Sequence, residues 1–486
     1  MPRRFWVQTF GCQMNEHDSE RLAGLMLGEG LEPAGRIDEA DVVLVNTCCI
    51  REHADERLYG FLGRLKPLKT RRPDLQIAVG GCLAQHERER VLARAGHVDV
   101  VFGTQNLAAA PTLLRRARTG AGPVVEVPDV PRSGPPAGAA RGPGGPGPEA
   151  VGRPGPVAGP GTRAERHRAW VTIQQGCDNG CTFCIVPFVR GREVSRRLGD
   201  IVAEVAALAA DGVREITLLG QNVNSYGRDL AAGVFRPRFA DLLRALDRVE
   251  GIERIRFTSP HPKDLRHETI AAMAECRSVC PQLHLPLQSG SDRILARMHR
   301  GYTAERYLAR LAAARAAIED LAVTTDLIVG FPGETDEDFE ATLAVVAEAR
   351  FDAAYTFRFS PRPGTAAAAM TDAFVPEAVI RARFDRLVEA TEHHALERHR
   401  ARVGRVEHVM VDGPSKRDPS RWSGRSAQGK LVHFPPGVPA PVPGEIVPVR
   451  IERAAPHWLA GRRADVADTP AGAGRADPAR IVVRTG

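Results

Sequence analysis

The 486-residue sequence lacks any apolar run close to the roughly 18 residues that a membrane-spanning helix needs. Lysine is scarce, since only five of the 66 basic residues are Lys and the others are Arg. Aromatic residues make up 5% of the chain, whereas hydrophobic residues reach 43% and charged residues 26%. This balance excludes a disordered chain and predicts a globular protein of roughly two to four domains.

The N-terminal residues also lack the long apolar stretch of a secretory signal, so we expect a cytoplasmic protein without membrane association. Thiols stay reduced in the cytoplasm, and the nine cysteines are therefore not expected to form disulfides. Their spacing should instead identify metal ligands, catalytic groups or core residues.

The chain divides at a segment that has almost no apolar side chain to bury in a core. Residues 131–162 consist nearly entirely of Gly, Pro, Ala and Arg, which predicts an extended linker. We expect one domain at residues 1–130 before it and a second at residues 163–400 after it. A third unit is expected at residues 401–465, followed by a flexible tail at residues 466–486.

The pattern of apolar runs predicts an α/β protein. Before the linker, three short runs alternate with helical patterns, which indicates βαβ units and a parallel sheet. After it, six more predicted strands alternate with helices, which indicates a partial (β/α) barrel with chemistry at the C-terminal strand ends. Beyond about residue 402, short strands between Gly and Pro predict a small β-barrel. The predicted strands of the first two domains are 5–10, 41–46, 75–80, 169–174, 215–219, 254–258, 282–287, 324–329 and 355–359.

The most specific motif is a loop with three cysteines. Cys177, Cys181 and Cys184 form C-x3-C-x2-C directly after a predicted strand. Three thiolates on one tight loop can hold three irons of a 4Fe–4S cubane and leave the fourth iron open to a substrate. Zinc is the competing metal, but no fourth Cys or His follows at the spacing of a zinc finger.

A second group of cysteines is dispersed along the first domain. Cys12, Cys48 and Cys82 each follow one of its three predicted strands. Because parallel strands end at one edge of their sheet, these thiols should converge there and could hold another cluster with an open iron. The alternative is that they are small buried apolar residues. Cys276 and Cys280 are expected in the core.

The loop and its surroundings, residues 175–195, resemble the methylthiotransferase family of the radical S-adenosylmethionine superfamily. The resemblance implies that S-adenosylmethionine binds the open iron and is cleaved to methionine and a 5′-deoxyadenosyl radical. It also implies a second 4Fe–4S cluster on Cys12, Cys48 and Cys82, two clusters in all, and a central barrel of the radical S-adenosylmethionine type. Cys49 departs from the family pattern. We assign Cys48 as the ligand, and whether Cys49 can substitute for it stays open.

Further family resemblance concerns the reaction. Residues 46–54 resemble the motif of one branch of the family, whose members methylthiolate carbon 2 of N6-isopentenyl-adenosine next to the anticodon of tRNA. Sister branches, which act on threonylcarbamoyl-adenosine or on a ribosomal-protein aspartate, are the nearer alternative. A non-enzymatic, zinc-stabilised RNA-binding protein is the distant one. The resemblance also implies an electron donor such as a flavodoxin and a donor of sulfur or clusters, and we expect a monomer.

Small polar residues and glycine at the predicted strand ends are candidates for binding the cofactor. Gln221 and Asn222 follow the second barrel strand, Ser289 the fourth and Gly330 the fifth. Such residues allow close backbone approach and offer hydrogen bonds, although ordinary turns use them equally. Their resemblance to the family's cofactor-binding segments favours contacts with S-adenosylmethionine. No catalytic residue beyond the cluster ligands is predicted.

The C-terminal unit carries most of the net charge. Residues 400–465 contain 12 basic and six acidic residues, a surplus of +6 against +7 for the whole chain. A basic barrel with aromatic residues suits RNA binding, whereas a merely solvated surface is the alternative. The unit resembles a TRAM domain, which implies the anticodon stem-loop of tRNA as its partner. The candidate residues are Lys416, Arg417, Arg421, Arg425, Lys430, Trp422 and Phe434.

Overall fold

The computed structural model describes residues 2–49, 54–120, 122–130, 163, 165–230 and 236–464. The predicted linker at 131–162, the tail at 466–486 and residues 50–53 of the 46–54 motif lie outside these ranges. Within them, no helix combines the length and apolar character that crossing a bilayer requires.

The N-terminal sheet has six parallel strands in the order β2-β1-β3-β4-β5-β6. Every residue of the two central strands is buried, as expected for a parallel sheet covered by helices on both faces. The strands are β1 (Arg4–Phe10), β2 (Glu32–Pro33), β3 (Val42–Thr47), β4 (Gln76–Gly81), β5 (Val100–Phe102) and β6 (Val124–Glu126). The helices are α1 (Gln13–Gly28), α2 (Ala54–Arg71), α3 (Cys82–Glu87), α4 (Arg90–Arg94) and α5 (Ala110–Thr119).

The central region is an open parallel barrel. Two three-stranded sheets, β11-β10-β7 and β12-β13-β14, are joined by a parallel bridge between Ile255 and Val279. The strands are β7 (Arg168–Thr172), β8 (Gln174–Gln175), β9 (Val194–Ser195), β10 (Glu215–Leu219), β11 (Arg254–Phe257), β12 (Gln282–His284), β13 (Ala322–Val329) and β14 (Ala353–Arg358). The helices are α6 (Val186–Val189), α7 (Leu198–Ala210), α8 (Phe239–Asp247), α9 (His267–Glu275), α10 (Asp292–Arg297), α11 (Ala304–Ala317) and α12 (Asp336–Ala349).

Side chains alternate between the two faces of this barrel. Val323 and Leu327 of β13 pack into the core beneath the surrounding helices. Asp326 points to the opposite face, which lines the barrel interior. One predicted strand is shorter than expected: the run at 282–287 forms a strand only to His284. The Leu285 amide still donates to the Thr324 carbonyl at 2.7 Å, but the Leu287 amide donates to the Thr325 hydroxyl at 3.0 Å, which ends the regular ladder.

Helix α13 (Glu377–Arg400) leads into a closed five-stranded barrel of order β15-β16-β17-β19-β18. Its strands are β15 (Val406–Pro414), β16 (Trp422–Ser426), β17 (Leu431–Phe434), β18 (Ile446–Ala454) and β19 (Leu459–Arg463). Phe434, which we predicted to contact RNA, is instead fully buried in the barrel core with Val432. The two-residue period of β17 places both side chains on the inward face.

The small barrel closes the N-terminal edge of the central strands. Arg254 donates to the carbonyl oxygens of Arg425 and His408, each at 2.7 Å. Lys430, also predicted to contact RNA, is only 5% exposed and pairs with Asp352 at 2.7 Å. Its ammonium holds the two units together and is not available to a phosphate.

Candidate iron–sulfur and cofactor site

The cysteine loop lies at the C-terminal end of the first barrel strand. Gly176 precedes it with a φ of +79°, and a Cβ there would collide with the Arg192 carbonyl oxygen. The Cys177 amide donates to the Gly191 carbonyl at 3.0 Å, and that of Cys184 to the Cys181 carbonyl at 3.1 Å. This local geometry holds three thiols on one short loop.

Burial and mutual repulsion act on these thiols. Burial, followed by the neighbouring thiol of Cys184, raises the pKa of Cys177, and burial with Cys181 nearby raises the pKa of Cys184 to about 12. One cation faces the group: Arg300 is buried and donates its Nη1 to the Cys181 sulfur at 3.4 Å. Three soft donors that repel one another as thiolates, beside a fixed cation, fit an iron–sulfur cluster.

The dispersed cysteines meet at one edge of the N-terminal sheet. Cys12 precedes α1, Cys48 follows β3 directly, and Cys82 is the first residue of α3, after β4. Their strands are adjacent in the sheet. The Cys48 thiol donates a hydrogen bond to Cys12, which lowers the pKa of Cys12 to about 5. The structure therefore brings together thiols that lie far apart in the sequence.

Cys49 also belongs to this edge. Its thiol donates to the Cys82 sulfur, and this contact is the main cause that lowers the pKa of Cys82 to about 7. Cys48 thus faces Cys12 whereas Cys49 faces Cys82, and the assignment of Cys48 as the ligand stays a prediction. Cys276 and Cys280 are buried away from both groups, Cys276 within the barrel core.

Three neighbouring barrel strands each end near a buried polar atom that has no partner among the described residues. These atoms are Gln174 Oε1, Asn222 Oδ1 and His261 Nε2. The side chains of Gln174 and Asn222 are anchored, because Gln174 donates to Ser225 at 3.1 Å and Asn222 to Asp264 at 2.8 Å. Buried polar atoms are normally paired, so this cluster fits a polar cofactor such as S-adenosylmethionine. The sequence had indicated only Asn222.

The other predicted cofactor residues have partners within the chain. Gln221 accepts a hydrogen bond from the Gly176 amide and so supports the cysteine loop. The Ser289 hydroxyl is fully buried and accepts from the Ser291 amide at 3.2 Å. Gly330 has a φ of +74°, and a Cβ there would overlap the Ile380 side chain. Their contacts with S-adenosylmethionine remain predictions.

The segment that carries the cysteine loop also reaches the second cysteine group. Ile185, directly before α6, and Val189, the last residue of α6, pack into the same core as Cys82. The Thr104 hydroxyl donates to the Val189 carbonyl at 2.5 Å. Arg190 follows and donates its Nε to the Cys82 sulfur at 3.3 Å. The two cysteine groups are therefore connected through seven residues of chain, 184–190.

An aromatic face lines the barrel interior. Tyr355 and Phe357 of β14 are 59% and 45% exposed. They stand in register with Asp326 and Ile328 of β13, and therefore share one face with them. The His284 ring contacts Tyr355 edge-on at 6.0 Å. Exposed rings beside a carboxylate can accept a flat base by stacking and hydrogen bonding.

The C-terminal barrel keeps a smaller basic surface than predicted. Of the predicted residues, Lys416, Arg417 and Arg425 are exposed, Arg421 and Trp422 are half-buried, and Lys430 is buried. Trp458 is half-buried like Trp422; its ring contacts the His433 ring at 6.2 Å and lies 5.9 Å from the Arg453 guanidinium. The sequence analysis did not single out Trp458, because its contacts with His433 and Arg453 depend on how the strands pair.

Comparison with known families covers all three regions. Residues 171–346 match the Radical SAM superfamily, residues 4–103 match the uncharacterized protein family UPF0004, and residues 400–463 match the TRAM domain. Among solved structures, a radical S-adenosylmethionine methyltransferase from Kitasatospora setae, TsrM, with cobalamin and a 4Fe–4S cluster bound, is similar with a TM-score of 0.50. It is 15% identical and covers 76% of this chain and 74% of its own, which supports the fold alone.

Curated relatives are much more similar. The tRNA-2-methylthio-N(6)-dimethylallyladenosine synthase of Mycobacterium bovis is 51% identical over 463 residues, which is 94% of this chain and 86% of the relative. The synthase of the same name from Mycolicibacterium vanbaalenii is 52% identical over 466 residues, 94% of this chain and 87% of the relative. These matches and the observed sheets confirm the predicted fold class. The chain belongs to the tRNA-2-methylthio-N(6)-dimethylallyladenosine synthase family of radical S-adenosylmethionine enzymes.

Proposed function

We propose that this enzyme methylthiolates carbon 2 of N6-dimethylallyl-adenosine (isopentenyl-adenosine) next to the anticodon of tRNA. The observation that carries the proposal is the pair of cysteine groups connected through residues 184–190, in a chain about half identical to synthases of that name. The C–H bond at carbon 2 of adenine is not acidic, and hydride is a poor leaving group. Its replacement by a C–S bond therefore requires radical chemistry. The two groups of cysteines would hold a radical-generating cluster and a sulfur-carrying cluster, respectively.

The loop group would hold the cluster that works with S-adenosylmethionine. When bound, that pair supplies an electron and a 5′-deoxyadenosyl radical. Cys177, Cys181 and Cys184 are the proposed ligands, and Arg300 balances their negative charge. The unpartnered atoms of Gln174, Asn222 and His261 would hydrogen-bond the cofactor. The buried walls around them exclude water, and a radical reaction requires this exclusion.

The sheet-edge group would hold the auxiliary cluster. Cys12, Cys48 and Cys82 are its proposed ligands, and the sulfur to be transferred would be carried there. The adenine would stack on Tyr355 and Phe357 in the barrel interior, with its N6–H directed to the Asp326 carboxylate. This placement uses the exposed aromatic face, where His284 contacts the Tyr355 ring and lies 3.4 Å from one oxygen of Asp326.

The C-terminal barrel would bind the anticodon stem-loop. Its cations Lys416, Arg417, Arg421 and Arg425 suit phosphate contacts, and Trp458 offers a stacking surface. We also propose the domain division 1–130, 163–400 and 401–465, a cytoplasmic monomer, an electron donor such as a flavodoxin, and a separate donor of sulfur or clusters.

The experiment is mass spectrometry of tRNA nucleosides after reaction with anaerobically reconstituted full-length protein. We expect the 2-methylthio product on dimethylallyl-adenosine and about eight irons per chain, the content of two cubanes. Cys181→Ala protein is the matched control and should give no product. Product only on threonylcarbamoyl-adenosine or on a ribosomal protein would support a sister branch instead. A colourless, zinc-containing preparation without product would favour the non-enzymatic alternative.

A further inference from the structure

Arg190 is a buried cation that touches the sheet-edge cysteine group. Arg190 is only 4% exposed. Its Nε lies 3.3 Å from the Cys82 sulfur, and its Nη2 lies 2.8 Å from Asp18 Oδ2. A guanidinium out of water needs such partners, because an uncompensated buried charge is costly. The cation is therefore held between one carboxylate and one sulfur.

The backbone that carries this guanidinium is held from two sides. Gln105, in the N-terminal region, donates to the Arg190 carbonyl at 3.0 Å, and Thr104 holds the preceding residue. On the other side, the chain reaches Cys184 of the loop group in six residues. The charge beside Cys82 is thus placed by the segment that carries the other cysteine group.

We propose that Arg190 is a positioning residue that sets the reduction potential of the auxiliary cluster, an inference that rests on the proposed function. Hydrogen bonds to the sulfurs and net charge nearby are the levers by which a protein tunes such a cluster. A fixed positive charge and an N–H bond to a ligating sulfur both stabilise the reduced, more negative state. Asp18 opposes this effect, because its carboxylate offsets part of the same charge.

The loop group provides an internal comparison. Arg300 donates to the Cys181 sulfur at 3.4 Å and is also buried. Each cysteine group therefore has one thiol that accepts from one buried arginine. Arg190 and Arg300 have different sulfurs as partners, so substitutions at the two positions should act on different clusters.

The test is a redox titration of full-length protein, followed by electron paramagnetic resonance. Cys177, Cys181 and Cys184 are replaced by Ala in the parent, so that only the auxiliary cluster is observed. Arg190→Met should shift its potential to more negative values, and Arg190→Lys should shift it less, because the charge stays. Asp18→Asn should shift it in the opposite direction. Arg300→Met in the same parent is the matched control and should leave it unchanged.

Iron content per chain separates tuning from collapse of the site. A merely structural role would lower the cluster content of Arg190→Met without moving the potential of the cluster that remains, and this result would overturn the proposal. Should that variant lose the cluster entirely, the opposite shifts of Arg190→Lys and Asp18→Asn still decide. The proposed function is scored separately, by methylthiolated nucleoside from the protein with all cysteines. Missing product together with the expected shifts would reject the function and keep the role of Arg190.

Discussion

The two cysteine groups are assembled in different ways. Cys177, Cys181 and Cys184 lie on one loop, and a few local hydrogen bonds are enough to hold them together. The group at the sheet edge exists only after β1, β3 and β4 have paired in the right order. The thiol environments differ as well: burial raises the pKa of Cys177, whereas a thiol donor lowers the pKa of Cys12. A local site can thus be inferred from spacing, whereas a dispersed site depends on the whole sheet.

The largest expected effect separates the two groups by activity. Cys181→Ala should abolish cleavage of S-adenosylmethionine, since the loop group cannot hold its cluster with two thiols. Chromatography of 5′-deoxyadenosine measures this directly. Cys276→Ala, which removes a thiol from the core, is the control and should keep cleavage. Cleavage by Cys181→Ala protein at the rate of the unchanged enzyme would remove the distinction between the groups.

The sheet-edge group should fail in a different way. Cys48→Ala is expected to retain cleavage of S-adenosylmethionine but to lose the methylthiolated nucleoside, because only the sulfur carrier is affected. Cys49→Ala is the matched neighbour and should form product. Both quantities come from one reaction, by chromatography and mass spectrometry. The reverse result, with product from Cys48→Ala and none from Cys49→Ala, would exchange their roles.

Tyr355 tests whether the base lies in the barrel interior between the two groups. Base stacking on an aromatic ring is worth about 1–3 kcal/mol. Tyr355→Ala should therefore lower kcat/KM for tRNA by roughly 5- to 150-fold, since each 1.36 kcal/mol is tenfold. Tyr355→Phe keeps the ring and should stay near the unchanged enzyme. Equal kcat/KM for the Ala and Phe variants would place the base elsewhere.

Binding of tRNA should be independent of both cysteine groups. A variant with Lys416, Arg417 and Arg421 changed to Ser is expected to bind tRNA more weakly and with a shallower dependence on salt. The slope should fall by about 1 for each phosphate that the variant no longer neutralises. Filter binding at several salt concentrations measures it. Lys430→Ser removes the same kind of charge from a buried pair with Asp352, and should lower stability while the slope stays.

The smallest effect concerns the junction between the sheet and the barrel. His17 of α1 contacts the Thr172 hydroxyl at 2.8 Å, and burial lowers its pKa from 6.5 to about 4. The unfolded chain takes up a proton as the pH falls through 6.5, whereas the folded chain does not until about 4. Stability present above pH 6.5 is therefore lost on acidification, by about 2 kcal/mol at pH 5.

Urea unfolding near pH 7.5 and near pH 5 measures this loss. His17→Gln should remove about 2 kcal/mol of the pH dependence, because a Gln side chain does not titrate. The unchanged protein, unfolded under the same two conditions, is the reference. The same pH dependence in His17→Gln and in the unchanged protein would show that the junction does not titrate.

Much of the fold could be predicted from the sequence because apolar periodicity determines which segments are strands. The loop cysteines were found by spacing and the dispersed cysteines by their places after strands. Arg190, Gln174 and His261 could not be found in this way, since their partners are distant in the chain. Phe434 and Lys430 were misread for a related reason: nothing local shows that the ring faces a barrel core or that the ammonium meets Asp352.

The C-terminal barrel contacts the N-terminal edge of the central barrel strands, and this contact affects which nucleotide is selected. Because Arg254 and Lys430 attach the small barrel, for which we propose RNA binding, to the strand starts, its separation from the cysteine groups at the strand ends is set by the fold. A bound stem-loop would then present only the nucleotide at that separation to the sulfur. The modified position would then be selected by its distance from the bound stem-loop, without base-specific contacts to every nucleotide in between.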